Sequence, residues 1–226
     1  MILIIVAVVV LAVVALPQLL VRTTIRRHGA ERPDLPGTGG ELARHLLDRF
    51  ELAHVRVEVT EKGDHYDPDA GAVRLLPQHH DGRSLSAVAI AAHEVSHAIQ
   101  HGNGERKLAL RQRLARVAQF TDRIAGVFFL AAPVLTVIIR SPAALAGAIA
   151  LGVALLSVRV VVNLVTLPVE TDASFAKALP ILKDGGYLSE RDLPAARSIL
   201  RAAAFTYVAG ALISLINLAR WIRLLR

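Results

Sequence analysis

Four long apolar runs constrain the fold of this chain more than any other feature. They cover residues 2–21, 124–139, 143–167 and 202–219. The chain has 226 residues, of which 54% are hydrophobic, and its mean hydropathy of +0.47 is high for a water-exposed domain. A helix of about 20 apolar residues is long enough to cross the hydrocarbon core of a bilayer. The sequence therefore predicts a mainly α integral membrane protein with about four transmembrane helices.

Basic residues beside these runs predict the orientation of the chain. The first run is followed at once by three arginines, Arg22, Arg26 and Arg27. Because cytoplasmic flanks carry the excess of Lys and Arg, the segment after this run is expected in the cytoplasm. The run is unlike a signal peptide, since no positive charge precedes it and no small-residue cleavage site follows it. A second cluster, Arg220, Arg223 and Arg226, conflicts with four full spans and leaves open whether the last helix is tilted or interfacial.

Composition limits the partners and the type of metal site. Cysteine is absent, so any zinc site must use histidine and carboxylate ligands. The net charge of +7 is interpreted as attraction to anionic membrane lipids. Aromatic residues make up only 4% of the chain, which disfavours a base-stacking surface and hence nucleic acid as a partner.

The part of the chain outside the predicted spans shows helix and strand patterns. Thr38 and Glu41 form a capping-box pattern for a helix through about Phe50. Residues 55–59 alternate as a half-buried strand, residues 73–76 resemble a second strand, and a polar loop at 63–71 lies between them, which together predict a short β-hairpin. Ser84 or Ser86 is expected to cap the next helix, Gly102 and Gly104 to end it, and a basic amphipathic helix follows at 105–119.

We expect one membrane-embedded domain over residues 1–226. Its predicted parts are a transmembrane helix, a first external segment, a transmembrane hairpin, a second external segment and a C-terminal membrane helix, at 1–21, 22–118, 119–167, 168–200 and 201–226.

The segment His93-Glu94-Val95-Ser96-His97 has the spacing of a zinc-binding helix. Residues i and i+4 share one helical face, so His93 and His97 can reach a single cation. Glu94 is then placed to take a proton from an attacking water. The alternative is a chance pattern on a charged helix surface. Nearly all the flanking residues are apolar, however, and buried ionisable groups in such surroundings are costly unless they are paired or bound to a metal.

A hydrolytic zinc site needs a third protein ligand. His101 lies about 12 Å along the helix axis from His93, too far for one ion. The extended H-E-x-x-H-x-x-G-x-x-H pattern is absent, because Gln100 and Asn103 stand where it requires Gly and His. A glutamate from a later helix is therefore expected. Glu170 is the preferred candidate, and Glu190 is its rival.

Arg159 falls near the same helical face as Glu170. An arginine within a predicted span is expensive and usually has a partner. Arg159 is thus either a partner of the site carboxylates or a side chain that extends towards lipid headgroups.

Four segments taken in order resemble the YugP-like family of membrane-bound neutral zinc metallopeptidases: Asp64-His-Tyr-Asp-Pro68, Ala92-His-Glu-Val-Ser-His-Ala-Ile-Gln100, Leu167-Pro-Val-Glu-Thr-Asp-Ala-Ser174 and Ala203-Ala-Phe-Thr-Tyr-Val-Ala209. The resemblance covers almost the whole chain. It implies a zincin-like helix, one zinc ion and a bacterial inner-membrane location. It also implies zinc ligands His93, His97 and Glu170, and Glu94 as the catalytic carboxylate.

The sequence departs from related proteases near the third ligand. Those relatives carry an aspartate four residues after the glutamate ligand, where this chain has Ser174. Asp172 is therefore the expected hydrogen-bonding partner of a ligand in its place.

The expected activity is zinc-dependent endopeptidase cleavage of a protein or peptide substrate, with membrane-associated substrates included, and the active site is expected on the cytoplasmic side. Either His65 or Tyr66 could stabilise the oxyanion, or this loop could only stabilise its own turn. The alternative function is a non-catalytic membrane scaffold or adaptor with a structural metal site. Such a site is closed by four ligands, and His65, His79 or His80 would supply the fourth.

Overall fold

The structure is a computed structural model that describes residues 16, 18–139 and 141–204. The chain divides into two compact units. One, here called the helical unit, includes Leu110–Leu167. The other, here called the mixed unit, comprises Ala15–Ala109 and Pro168–Thr206. The described chain is mainly helical, as predicted, with one small sheet.

The mixed unit contains most of the elements. In chain order these are α1 (18–27), α2 (Gly39–Arg49), β1 (Arg56–Val59), β2 (His65–Asp67), β3 (Ala72–Leu75), α3 (Pro77–His80), α4 (Leu85–Gly102), a π-helical segment (Asp172–Ala178), α7 (Leu179–Asp184) and α8 (193–204). Two longer helices, α5 (Arg106–Ile139) and α6 (Pro142–Thr171), run through the helical unit.

The prediction of an integral membrane fold is wrong for the part of the chain that the structure describes. Among those residues no helix combines the length and the apolar character that crossing a membrane requires. The run at 124–139 has only 16 residues, and the α5 sequence before it is rich in arginine. The run at 143–167 is interrupted by Ser157, Arg159 and Asn163. The other two predicted spans, 2–21 and 202–219, fall almost wholly outside the described residues.

Helix α2 begins where its sequence predicts. Thr38 is the N-cap residue, and the Glu41 backbone N–H donates to its hydroxyl at 3.2 Å. The Thr38 N–H donates in return to the Glu41 carboxylate at 2.7 Å. This capping box satisfies two backbone donors at the helix start. Ala43, Leu46 and Leu47 then turn one face of α2 into the core.

The small sheet differs from the predicted hairpin. Its strand order is β1-β3-β2, with β1 parallel and β2 antiparallel to β3. The polar loop at 63–71 therefore contains a strand, and the hairpin is formed by β2 and β3. The sequence concealed β2 because three residues are too few to show alternation. Arg74 on β3 forms ion pairs with Glu58 on β1 and Asp67 on β2, which favours this arrangement.

Helix α4 is the central element of the mixed unit. Ser84 caps it and accepts a hydrogen bond from the Ala87 N–H at 3.1 Å. All its residues from Leu85 to Gln100 are buried. Close packing around its first turn requires a small neighbour, since a Cβ at Gly39 would lie 2.9 Å from the Ala87 carbonyl oxygen. The helix ends at Gly102, and Gly104 follows with a φ of +63°, a conformation that glycine adopts without strain.

A second segment brings a carboxylate back to the mixed unit. Glu170 lies in the last turn of α6, and the π-helical segment follows directly from Asp172. Helical turns of this kind are rare and often occur at functional sites. Helix α7 continues from it and buries Leu182 in the core that also holds Val95 and Ile99 of α4.

Candidate metal centre

Three side chains of the mixed unit form a cluster that could hold a metal ion. His93, His97 and Glu170 each offer a ligand atom, and these atoms all lie within 4.8 Å of one another. The Glu170 Oε2 atom lies 3.2 Å from His93 Nε2 and 3.4 Å from His97 Nε2. The two histidines come from successive turns of α4, and Glu170 comes from a segment 77 residues later than His93.

The cluster is buried, so the charge state of Glu170 indicates whether it can bind a cation. The Glu170 side chain is 2% exposed. Burial by itself would raise the pKa of Glu170, but its contacts with His93 and His97 outweigh burial and hold that pKa well below its usual range. Glu170 is therefore a carboxylate at neutral pH, which is the form that binds a cation.

Each histidine has a hydrogen-bonding partner at its other ring nitrogen. His93 Nδ1 lies 3.1 Å from the Ser174 hydroxyl, and His97 Nδ1 lies 2.9 Å from Gln100 Oε1. Such contacts orient a ligating imidazole and fix which nitrogen is left for the metal. In both rings the nitrogen nearer to Glu170 is Nε2.

The donor set fits zinc. Two imidazole nitrogens and one carboxylate oxygen are the ligands of a common type of catalytic zinc site, which leaves one position for water or substrate. With the ring protons on Nδ1, both imidazoles would present Nε2 lone pairs to an ion that they share with the Glu170 carboxylate.

The remaining predicted catalytic residues have the following positions. Glu94 is buried on α4, beside His93. The His65 Nδ1 atom lies 2.7 Å from the Gly63 carbonyl oxygen, and the Tyr66 hydroxyl lies 2.7 Å from His101 Nδ1. Neither His65 nor Tyr66 belongs to the metal-competent cluster found among the described residues.

Two residues predicted to assist the site lie in different units. Asp172 follows Glu170 closely and accepts a hydrogen bond from the Gln100 amide at 2.7 Å. Burial would raise the pKa of Asp172, but hydrogen bonds from Lys177 and Gln100 lower it. Arg159 lies in α6 within the helical unit, and its side chain is outside the part of the chain that the structure describes.

The histidines that a closed structural site would need are engaged elsewhere. His79 Nδ1 lies 2.8 Å from Asp64, and His80 Nδ1 lies 2.6 Å from Asp81. Glu190, the rival third ligand, is 81% exposed and lies near Lys183. Within the described ranges the metal-competent cluster consists of three residues, which is the ligand number of a catalytic rather than a closed structural site.

Comparison with known proteins assigns the chain to a family. A family model described as "Putative neutral zinc metallopeptidase" matches residues 1–226. The chain belongs to this family. The resemblance drawn from the sequence motifs is thereby confirmed. A Bacillus subtilis (strain 168) relative of this metallopeptidase family, named "Putative membrane protease YugP", is 36% identical over 207 residues, which cover 91% of this chain and 88% of the relative. No solved structure matches the chain.

The sequence patterns do not identify two residues that contact the histidines of the cluster, Ser174 and Gln100. In the sequence Gln100 is only a mismatch to a longer zinc motif, yet in the structure it contacts His97 and the segment that carries Glu170. Its position three residues after His97 was the available signal, because residues i and i+3 are neighbours on a helix surface.

Proposed function

We propose that this metallopeptidase-family member is a zinc-dependent endopeptidase that hydrolyses peptide bonds at the His93, His97 and Glu170 cluster. The observation that carries the proposal is the approach of three suitable ligand atoms to within 4.8 Å from two distant segments. The family description, which names zinc and peptidase activity, supports the same chemistry.

The chain's own residues would divide the chemistry between them. His93 Nε2, His97 Nε2 and a Glu170 oxygen would hold the ion, which when bound would activate water and polarise the scissile carbonyl. Glu94 accepts the proton that the attacking water loses, and it later delivers that proton to the departing amine nitrogen. The C–N bond breaks, and the products are a carboxylate and an amine.

Two loop residues have separate proposed roles. We propose Tyr66 as the oxyanion donor, because a tyrosine hydroxyl carries its proton at neutral pH. Burial and the neighbouring charge of Asp67 raise its pKa further. The His65 ring nitrogen contacts the Gly63 carbonyl, and this contact favours a turn-stabilising role for His65.

The substrate and the location form part of the proposal. The substrate class is a protein or peptide, because the proposed chemistry is addition of water to an amide carbonyl. We propose a bacterial inner-membrane location with the active site on the cytoplasmic side. The printed name of the Bacillus subtilis relative, a membrane protease, supports the membrane location only. Fractionation of cells that express the chain tests the location.

The decisive experiment is the Glu94→Gln substitution in the full chain. We expect bound zinc to be unchanged by elemental analysis, since Glu94 is not in the ligand cluster. Hydrolysis of a mixture of quenched fluorescent peptides should fall by at least about 100-fold, the scale of general base catalysis.

The matched control is Glu190→Gln, which makes the same chemical change at an exposed site and should leave both zinc and hydrolysis unchanged. Hydrolysis at the wild-type rate in Glu94→Gln would rule out Glu94 as the base. Wild-type protein without bound zinc would refute the proposed function itself.

A further inference from the structure

Gln100 makes three hydrogen-bonding contacts although its side chain is almost fully enclosed. The residue is 1% exposed. Its Oε1 atom lies 2.9 Å from His97 Nδ1. Its Nε2 atom donates to the Val169 carbonyl oxygen at 3.1 Å and to Asp172 Oδ2 at 2.7 Å. A side-chain amide offers an acceptor oxygen and two N–H donors. The three contacts therefore use the oxygen and both N–H groups of Gln100.

These contacts determine the protonation of the His97 ring. The Val169 carbonyl can only accept hydrogen bonds, so the amide nitrogen of Gln100 must face it. The amide oxygen must then face His97, and an oxygen requires a donor at Nδ1. The neutral His97 ring therefore carries its proton on Nδ1 and presents the Nε2 lone pair towards Glu170, which is the form that a metal ligand needs.

The same amide also connects the two segments that supply the ligands. Val169 directly precedes Glu170, and its carbonyl is part of the peptide group that leads into that ligand. A hydrogen bond from Gln100 on α4 to this carbonyl fixes the end of α6 against the ligand helix. The Gln100 side chain thus contacts both His97 and the peptide group that precedes Glu170.

A chain of ion pairs holds the far side of Gln100 in place. Asp172, which accepts from Gln100, pairs with Lys177 of the π-helical segment. Lys177 also lies 2.9 Å from Glu105, and the Glu105 backbone N–H donates to the Gln100 carbonyl at 3.0 Å. These contacts form a closed ring that begins and ends at Gln100. Asp172 is therefore held both by Gln100 of α4 and by Lys177 of the π-helical segment.

We propose that Gln100 is a positioning residue that presents His97 Nε2 to zinc and keeps the Glu170 segment at ligand distance from α4. The inference rests on the proposed zinc function and deepens it, since it assigns to Gln100 the pre-organisation of two of the three ligands. Neither a carboxylate nor a hydroxyl at this position could accept from His97 and donate to both acceptors on the other segment.

The test compares zinc dissociation constants for full-length variants, measured by competition with a chelator of known affinity. Gln100→Leu removes all three contacts and should weaken zinc binding about 10- to 100-fold, the usual effect of losing a partner of a ligand. Gln100→Glu keeps an acceptor for His97 but loses the donors and places a second carboxylate beside Asp172. It should also weaken zinc binding.

A reciprocal double variant separates positioning from simple loss of packing. In Gln100→Glu with Asp172→Asn the amide moves to the other segment and can donate to the carboxylate at 100. Zinc affinity should recover part of the loss seen in Gln100→Glu alone. The control is Gln78→Leu, which makes the same change at an exposed site and should bind zinc as the wild type does.

A second measurement reports on His97 without zinc. Nitrogen-15 spectra of the zinc-free protein should show the Nδ1-protonated ring in the wild type and a changed tautomer balance in Gln100→Leu, with thermal unfolding as the check that both are folded. If Gln100→Leu does not fold, the Gln100→Glu and double variants carry the comparison.

The outcomes are distinguishable. Equal zinc affinity in the wild type and a folded Gln100→Leu overturns the inference and leaves the proposed function intact, as does a double variant with no recovery over Gln100→Glu. Wild-type protein that binds no zinc overturns both.

Discussion

Two pairings of a buried histidine with a carboxylate lie in the described part of the mixed unit, and they are built differently. In the first, Asp64 accepts from the Leu76 N–H through one oxygen and contacts His79 Nδ1 through the other, both at 2.8 Å. His79 is 4% exposed. In the second, one oxygen of Glu170 faces Nε2 atoms of both His93 and His97 at 3.2 and 3.4 Å.

The difference shows how a structural pair and a ligand cluster can be told apart. Each Asp64 oxygen has a nearby donor, so that pair is complete without a further group. The Glu170 oxygen instead meets two ring nitrogens whose Nδ1 atoms already contact Ser174 and Gln100. When both rings carry their proton on Nδ1, their Nε2 lone pairs face this carboxylate oxygen, and the arrangement is stable only with a proton or a cation among them. Burial alone therefore does not distinguish a metal-binding cluster from a structural pair. The distinction depends on whether each carboxylate oxygen has its own hydrogen-bond donor.

The largest effect is expected from changing the carboxylate of the ligand cluster. Glu170→Gln keeps the size of the side chain but replaces the charged oxygen with a weak amide ligand. Zinc affinity should fall by more than the roughly 10- to 100-fold that is typical for a partner of a ligand, as measured by chelator competition. Wild-type affinity in this variant would eliminate Glu170 as the third ligand.

A smaller effect, on stability rather than on metal, is expected at the structural pair. Asp64→Ala leaves the buried His79 ring and the Leu76 N–H without their acceptor and should lower the free energy of unfolding by about 1–3 kcal/mol. Denaturant titration measures the loss, and zinc per chain should stay at the wild-type value. The comparison of the two clusters fails if Asp64→Ala releases zinc while the protein remains folded.

The smallest effect is expected at a partly exposed ion-pair cluster, which serves as a reference for the two histidine–carboxylate pairings. Arg32 contacts Asp34 and Asp192, and its hydrogen bond lowers the pKa of Asp34 to about 2. Because the folded-state pKa lies below the ordinary value of about 3.9, the pair stabilises the fold above that value, and its contribution is lost as pH falls towards 2.

The corresponding measurement is the melting temperature of wild type and Arg32→Gln across this pH range. The gap between them should be small near neutral pH, shrink in high salt, and vanish as pH approaches 2. Arg191→Gln, which removes the same charge from a neighbouring exposed position, should show no such pH-dependent gap. A gap that widens on acidification would contradict the assignment.

Local features of the fold were predictable because their causes are local. The capping box at Thr38, the Ser84 cap and the His-Glu helix each depend on residues within one or two turns. The parallel pairing of β1 with β3 was not predictable, because β2 lies between them in the sequence and no local pattern fixes the direction in which two such strands pair. The prediction of transmembrane helices was wrong because approximate length and overall composition do not account for the shortness of one apolar run or for the polar residues within another.

Local sequence is sufficient to predict the chemical groups of the site: two histidines and a glutamate on one helix, no cysteine, and a later glutamate as the candidate third ligand. Which of these groups meet in space is visible only in the folded chain. Glu170 rather than Glu190 lies beside the two histidines, and Gln100 rather than a neighbouring acid contacts His97 Nδ1. The physical reason is that periodicity places side chains along a single helix, whereas the distance between two segments far apart in sequence depends on how both pack against the same core.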